Sequence, residues 1–110
     1  MRLLLAFLFT LFLAGSAEAT TLYVSTTGND ANPGTQGSPF ASIQKAANVV
    51  NPGDTVIVRD GTYVDTYIDA NDAIVHVTRG GTAGNYVTFK SENPLGAKLN
   101  GQNNTIMIAW

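Results

Sequence analysis

The second half of the chain consists of short segments in which apolar residues alternate with other residues. The alternating segments are 55–59, 74–78, 86–90, 97–99 and 105–108. Each segment places two apolar side chains at positions i and i+2, which is the spacing of one buried face of a β-strand. No helical pattern lies between consecutive segments, so a doubly wound fold of strands and helices is excluded. An all-β fold is therefore expected for this part of the chain.

Two sheet architectures suit such strands, and the breaks between the strands favour one of them. A sandwich built from hairpins favours two-residue turns, whereas most breaks here are longer. A parallel solenoid accepts bends of variable length and stacks the apolar faces of its coils into one column. The sequence separation from Val56 to Val87 equals that from Val75 to Ile106, which indicates a coil period. Composition alone leaves the sandwich open.

Composition excludes several classes of function. The 110 residues include no cysteine and one histidine, which excludes disulfide scaffolds, thiol redox chemistry, thiolate zinc sites and multi-histidine metal sites. The formal net charge of −2 argues against binding through phosphate groups, so no nucleic-acid partner is expected. With 45% hydrophobic and 13% charged residues, the chain is not of the disordered class.

Residues 1–19 have the layout of a secretory signal peptide. A basic start precedes an apolar run over residues 3–14, and Ala17 and Ala19 supply small residues at the positions that a signal peptidase reads. The apolar run is shorter than the roughly 20 residues that cross a bilayer, which argues against a membrane anchor. We therefore expect cleavage after Ala19, a secreted, periplasmic or cell-surface location, and no membrane contact after cleavage.

Residues 20–53 are expected to form a strand, a turn-rich loop and one short helix. The strand covers 21–25, and the Asn, Asp, Pro and Gly residues of 27–38 indicate an ordered loop. Ser42 is placed to cap a helix that ends before the Asn-Pro-Gly sequence at 51–53. One apolar stripe of that helix is formed by Ile43, Ala46, Ala47 and Val50. A helix of about two turns is too weak to stand alone, so this stripe must cover other apolar residues.

Several runs of the sequence resemble the start of secreted right-handed parallel β-helix proteins of the pectate-lyase-like superfamily. These runs are Tyr23–Thr35, Ser38–Ala47, Pro52–Tyr63, Gly81–Lys90 and Leu99–Gly101. They are similar to the family-9 pectate lyases and to the alginate lyase and chondroitinase B group. The resemblance covers nearly all of the chain after residue 19 and is specific for the fold. It does not specify the reaction, because fold and chemistry are separable.

The resemblance implies an architecture of a signal peptide at 1–19, a capping region at 20–53 and the first coils of a β-helix at 54–110. In such proteins the short helix covers the first coil. The last residues are apolar, and about two to three coils are fewer than a solenoid usually needs. We therefore expect the chain to be the N-terminal part of a longer protein, truncated at its C-terminus. We also expect residues 20–110 alone to aggregate or to remain loosely folded.

The resemblance further implies a carbohydrate-active protein, with a polysaccharide lyase acting on an acidic glycan as the first hypothesis. In these lyases a basic residue removes the proton next to a uronate carboxyl group, and Ca²⁺ or another neutralising group stabilises the resulting enolate. Those residues lie on later coils, and nothing in this chain aligns with them. The expected partner is an extracellular acidic polysaccharide, and Ca²⁺ is a cofactor only for the longer protein. A polysaccharide hydrolase is the second enzymatic hypothesis. The alternative to an enzyme is a noncatalytic β-helix that binds glycans or mediates surface adhesion.

No catalytic, cofactor-binding or metal-binding residue is assigned from the sequence, although several residues carry suitable atoms. Asn29, Asp30 and Asn32 could offer oxygens to Ca²⁺, but turn chemistry is the simpler interpretation. His76 alternates with apolar neighbours, so we expect it to face outward without a catalytic partner. An acidic stretch, without the spacing of a known calcium loop, contains Asp60, Asp65, Asp69 and Asp72.

The remaining candidates have equally ordinary explanations. Three tyrosines could stack on sugars, although aromatic residues are common near strand ends: Tyr63, Tyr67 and Tyr86. The basic residues are expected at outward or loop positions that aid solubility: Lys45, Arg59, Arg79, Lys90 and Lys98. The Gly80-Gly81 pair and Gly84 lack the context of a phosphate loop. Asn103-Asn104-Thr105 is a glycosylation sequon only in a eukaryotic secretory pathway.

Overall fold

Short β-strands account for most of the regular structure in this chain. A computed structural model describes residues 18–64 and 74–101 and the backbone of 108–109. The strands are β1 (Thr21–Val24), β2 (Thr55–Val58), β3 (Gly61–Val64), β4 (Val75–His76), β5 (Thr88–Ser91), β6 (Ala97–Asn100) and β7 (Ile108–Ala109). The single helix of the described residues is α1 (Ile43–Val49). Residues 1–17 of the predicted signal peptide lie outside the described part.

Every strand pair in the described residues is parallel. A parallel solenoid requires this arrangement, whereas a sandwich built from hairpins would contain antiparallel pairs. Sheet A has the order β1-β2-β5, sheet B pairs β3 with β6, and sheet C pairs β4 with β7. In sheet A, Thr21 pairs with Thr55, and Thr55 pairs with Thr88, so the sequence separation between partners is nearly constant. Each sheet is therefore assembled from strands that belong to successive passes of the chain.

The observed repeat is slightly longer than the predicted spacing. Val56 pairs with Phe89 rather than with Val87, and Val75 pairs with Ile108 rather than with Ile106. The prediction is wrong by two positions in both pairs, which preserves the inward face because side chains alternate with a period of two. The third predicted strand starts two positions late, at Thr88, and a tight turn in which Thr82 and Asn85 are hydrogen-bonded to each other lies before it.

Strand β3 is absent from the prediction, in which a break followed the segment 55–59. Gly61 has a φ of +147°, so it turns a corner and the chain resumes an extended conformation at once. Within β3, Tyr63 is buried, whereas Thr62 and Val64 are exposed. A second sheet therefore begins where the sequence indicated only a turn.

The helix prediction is confirmed in its bounds, its cap and its buried stripe. The Ser42 hydroxyl accepts a hydrogen bond from the Lys45 backbone N–H at 3.1 Å, which satisfies a free donor of the first turn. The backbone N–H of Val50 closes the last turn by donating to the Ala46 carbonyl. The buried stripe contacts β1 and β4 and consists of Ile43, Ala46, Ala47 and Val50.

Two strand edges on the side of the helix are covered by nearby residues. The backbone N–H of Tyr23 donates to Gly34 at 2.8 Å, and its carbonyl accepts from Phe40 at 2.9 Å, so the loop covers β1. On β4, the side-chain amide of Gln44 accepts from the backbone N–H of His76 at 2.8 Å and donates to the carbonyl of the same residue at 2.9 Å. The helix thus supplies the two hydrogen bonds that a preceding strand would make.

Candidate functional site

Sheet A presents an outer face on which side chains from three successive strands form rows. Because strand residues alternate between faces, the register places three threonines in one row and Tyr23, Ile57 and Lys90 in the next. The opposite, inward rows contain the buried Val56 and Val58. We define the sheet A outer face by its six residues: Thr21, Tyr23, Thr55, Ile57, Thr88 and Lys90.

Arg59 lies at the carboxyl end of β2, beside this face. Its guanidinium carbon is 5.4 Å from the centroid of the Tyr23 ring, within the range of a cation–π contact. Its Nη2 donates to the carbonyl of Gln36 at 2.7 Å. Its Nε lies 3.9 Å from a carboxylate oxygen of Glu92, a long and partly exposed ion pair that contributes little. The loop and the aromatic ring therefore orient this guanidinium.

The sheet A outer face is equipped for binding rather than for chemistry. It combines hydroxyl groups, an aromatic ring and two cationic side chains, Lys90 and the adjacent Arg59, which are groups that can contact hydroxylated or carboxylated molecules. It holds no nucleophile paired with a base. Within 18–64 and 74–101, no group of three or more His, Asp or Glu residues is placed to hold a metal ion.

In the turn-rich loop, the polar side-chain atoms that could offer oxygens to Ca²⁺ instead make hydrogen bonds within the protein. One carboxylate oxygen of Asp30 accepts from the backbone N–H groups of Ala41 and Ser42 at 2.8 and 2.9 Å, and the other accepts from the Ser42 hydroxyl at 2.7 Å. The Asn29 side chain accepts from the Ala31 backbone in an Asx turn. The Asn32 amide donates to the carbonyl of Pro39. These residues attach the loop to the start of the helix.

The acidic stretch is represented in the structure by Asp60 alone, because Asp65, Asp69 and Asp72 lie outside the described residues. Asp60 is exposed, and its carboxylate accepts from the Asn93 side chain at 2.9 Å. This contact joins the β2–β3 corner to the segment between β5 and β6. Within the described residues, Asp60 belongs to no group of three or more side chains that could hold a metal ion.

The three tyrosines have different environments. Tyr63 is buried, and its hydroxyl donates toward the backbone carbonyls of Arg59 and Val24, at 2.8 and 3.2 Å. Burial raises the pKa of this phenol above its ordinary value of 10.0. The sugar-stacking hypothesis therefore does not apply to Tyr63, whereas Tyr86 is 73% exposed and could meet a ligand. Tyr67 lies outside the described residues.

The remaining candidates are dispersed. His76 is half-buried, between the buried Val75 and the half-buried Val77, and the backbone of His76 is held by Gln44. Lys45 lies 5.9 Å from the centroid of the Phe40 ring. The exposed side chains include Arg79, Lys98 and Lys90. Gly80, Gly81 and Gly84 lie in the exposed segment before β5, and the sequon at 103–105 lies outside the described residues.

Two residues with specific contacts were missed from the sequence. The side chain of Gln44 covers the edge of β4, although its position next to the apolar stripe gave no signal for that role. Asp54 is 3% exposed, and its carboxylate accepts from the backbone N–H groups of Asn51 and Thr20, both at 2.8 Å. The Asn-Pro-Gly-Asp sequence indicated a turn, but the contact with Thr20 depends on the pairing of β1 with β2.

Comparison with known proteins gives similarities that agree with this geometry. The family described as "Protein of unknown function (DUF1565)" matches residues 26–72. Pectate lyase PEL9 of Emericella nidulans is 37% identical over 65 residues, which are 59% of this chain and 14% of that protein. The "Uncharacterized protein YwoF" of Bacillus subtilis is 37% identical over 70 residues, which are 64% of this chain and 13% of that protein.

A solved structure described as a rhamnogalacturonan lyase superposes on 74% of this chain with a TM-score of 0.62 and 29% sequence identity. The superposition covers 22% of the lyase. Together, these matches confirm the resemblance of the chain to the pectate-lyase-like β-helix superfamily. The chain spans less than a quarter of the length of each of these relatives. In the described part of the chain, no helix has the length and apolar character needed to cross a membrane.

Proposed function

We propose that this chain forms the N-terminal portion of a secreted right-handed parallel β-helix protein that acts on an acidic polysaccharide, such as pectate or alginate. The observation that carries this proposal is the parallel register of sheet A, in which Thr21 pairs with Thr55 and Thr55 with Thr88. A near-constant sequence separation between parallel partners is the repeat of a solenoid. The similarity to a pectate lyase and a rhamnogalacturonan lyase supports the substrate class.

The proposed reaction of the longer protein is β-elimination. A base removes the proton next to the uronate carboxyl group, a carbon–carbon double bond forms, and the glycosidic oxygen leaves with the bonding electrons. We place the catalytic residues on later coils, beyond Trp110, as the resemblance to the lyases implies. The described residues also do not fit a calcium site, since the Asp30 carboxylate is engaged by three donors. We therefore assign no step of the reaction to this chain.

The role proposed for this chain is to start the stack and to contribute a binding surface. The loop and Gln44 cover the first strands, which gives later coils a fixed template. On the sheet A outer face, Lys90 is exposed and Arg59 is oriented by its contacts with Gln36 and Tyr23. Two cations on one side of a stack suit the carboxylate groups of a uronate polymer.

The test is to incubate the longer protein, with and without Ca²⁺, with pectate, alginate and chondroitin, and to measure unsaturated uronate products. We expect products from an acidic glycan. Absence of product from all three polymers under both conditions would contradict the lyase assignment. Glycan binding without product would instead favour the noncatalytic hypothesis.

A matched pair of lysine variants tests the binding surface. Lys90→Ala removes a cation from the sheet A outer face, so we expect the KM for the acidic glycan to rise about 1.5-fold to fivefold, as for the loss of one exposed charge contact. Lys98→Ala removes an equally exposed cation from β6 in sheet B, and we expect an unchanged KM. Equal effects of the two variants would exclude a specific role for Lys90.

A further inference from the structure

The carboxylate of Asp54 is buried without a cationic partner among the described residues. Asp54 is 3% exposed. The two oxygens of its carboxylate accept from the backbone N–H groups of Thr20 and Asn51, each at 2.8 Å. The only ion pair within 4.0 Å in the described residues joins Arg59 to Glu92. A buried charge is costly unless it is paired as well as hydrogen-bonded, so Asp54 lacks one of the two usual compensations.

One of the two residues that donate to Asp54 directly follows the predicted cleavage position. Thr20 directly follows Ala19. Its carbonyl accepts from the Thr55 backbone N–H at 3.0 Å, and the next residue, Thr21, pairs with Thr55 in sheet A. The nitrogen of Thr20 is therefore held at the Asp54 carboxylate by strand pairing that does not involve residues 1–19.

We propose that cleavage after Ala19 converts the Thr20 nitrogen into an ammonium group that forms an ion pair with Asp54 and locks β1 onto β2. Hydrolysis of the Ala19–Thr20 peptide bond gives a carboxylate on the leader and an amine on Thr20, which is protonated near neutral pH. In the precursor, the same nitrogen offers Asp54 only a neutral amide N–H. A charge-assisted hydrogen bond is about twice as strong as a neutral one, so cleavage strengthens the attachment of the first strand. This inference rests on export, which is part of the proposed function.

The first step of the test is to determine the N-terminus of the exported longer protein by intact mass and N-terminal sequencing. We expect Thr20 at the N-terminus. An uncleaved chain, or cleavage elsewhere, would overturn this inference, whereas failure to recover the protein outside the cytoplasm would overturn the export proposal. The lyase assay described above is independent of this result, so the two proposals can fail separately.

The second step compares the exported protein with a variant in which two residues, Ser-Gln, are inserted after Ala19. Because Gln is not a small residue, cleavage remains after Ala19, and the cleaved chain begins two residues before Thr20. The insertion moves the ammonium group away from Asp54, and we expect the midpoint of thermal unfolding to fall by about 2–4 °C. In an Asp54→Asn background the insertion should have no effect, because the partner charge is absent. In an Asp60→Asn background, which removes an exposed carboxylate, it should have its full effect.

A third measurement reads the amine itself and does not depend on the stability of the variants. The rate at which an acylating reagent modifies the α-amine should be about tenfold lower in the protein that begins at Thr20 than in the extended protein, since a neighbouring carboxylate favours the protonated form of the amine and lowers its free-base fraction. Equal rates, or an insertion that has the same thermal effect with and without Asp54, would overturn the proposed ion pair.

Discussion

At the scale of single residues, two glycines with the same φ have different neighbours. Gly34 and Gly84 both have a φ of +80°, a conformation that costs a residue with a side chain roughly 1–2 kcal/mol. A methyl group on Gly34 would overlap the Phe40 ring, whereas one on Gly84 would meet nothing within 4 Å. Gly34 thus allows the aromatic ring to approach the loop that covers β1.

We expect Gly34→Ala to lower the free energy of unfolding by about 1–3 kcal/mol more than Gly84→Ala does. Both substitutions add backbone strain, but only the methyl group at position 34 is also forced against a buried ring. The two variants share the same φ, so each controls for the other. Urea-induced unfolding followed by circular dichroism gives both free energies. Equal losses would show that the Phe40 contact imposes no constraint on this loop.

The buried phenol of Tyr63 gives a second prediction. Burial raises the pKa of Tyr63 above 10.0, so the folded protein retains this proton at pH values where the unfolded chain releases it. The contribution to the free energy of unfolding is complete below about pH 10 and is lost as the pH rises through the folded-state pKa. Tyr63→Phe should remove this alkaline decline, which unfolding measurements between neutral and alkaline pH would detect.

The control for that experiment is Tyr86→Phe, since Tyr86 is 73% exposed. This variant should retain the alkaline decline of the unmodified protein. Near neutral pH, Tyr63→Phe should also cost about 0.5–1.5 kcal/mol, the usual net value of a hydrogen bond. A decline that persists unchanged in Tyr63→Phe would assign it to another group.

At the scale of elements, the helix acts through one polar side chain as well as through its apolar stripe. Gln44 makes two hydrogen bonds with the backbone of His76, and its amide nitrogen also donates to Asn48 at 2.9 Å. The residue needs one donor group and one acceptor group at the same place, which an amide provides and a carboxylate does not. This contact sets the position of α1 relative to β4.

Gln44→Glu should therefore cost about 1–3 kcal/mol, because the His76 carbonyl would lose its donor and face a carboxylate oxygen. Asn48→Ala is the matched control on the same helix: it removes the contact between Gln44 and Asn48 but leaves both His76 bonds, so a smaller loss is expected. Hydrogen exchange at the amides of α1 and β4 would measure both effects locally. A larger loss for Asn48→Ala would contradict the assigned role of Gln44.

The elements also show which parts of the structure were predictable. The helix has a strong period, a capping serine and a Pro-Gly end, and all three features depend on local interactions. Strand β3 was missed because Gly61 marks both a stop and a corner, and only the tertiary fold decides between them. The predicted repeat was too short because β5 starts at Thr88, two positions later than predicted. Asp54 and Gln44 were missed because their partners are distant in sequence.

At the scale of the whole molecule, the inner apolar residues of the later strands are incompletely covered. Val87, Phe89 and Leu99 are half-buried and line a cleft of about 510 Å³ together with Ile43 and other apolar side chains. Exposed apolar surface of this kind favours association. The column of the proposed solenoid would need a further layer to exclude water from these side chains.

For this reason, we expect residues 20–110 expressed alone to aggregate or to remain loosely folded. Size-exclusion chromatography and the binding of a hydrophobic dye should show large or dye-binding species. The longer protein should elute as a defined species under the same conditions. A sharp, reversible thermal transition of a monomeric 20–110 chain would contradict this expectation.

The contact between Gln44 and His76 has a consequence for how copies of this protein can associate. A strand edge with free backbone groups can recruit an edge from another molecule, and repeated recruitment builds a fibre. On β4 that opportunity is removed at His76 by one amide side chain, and on β1 it is removed by Gly34 and Phe40. Head-to-tail growth through these two edges is therefore blocked, and a substitution as small as Gln44→Ala would open one of them to fibre growth.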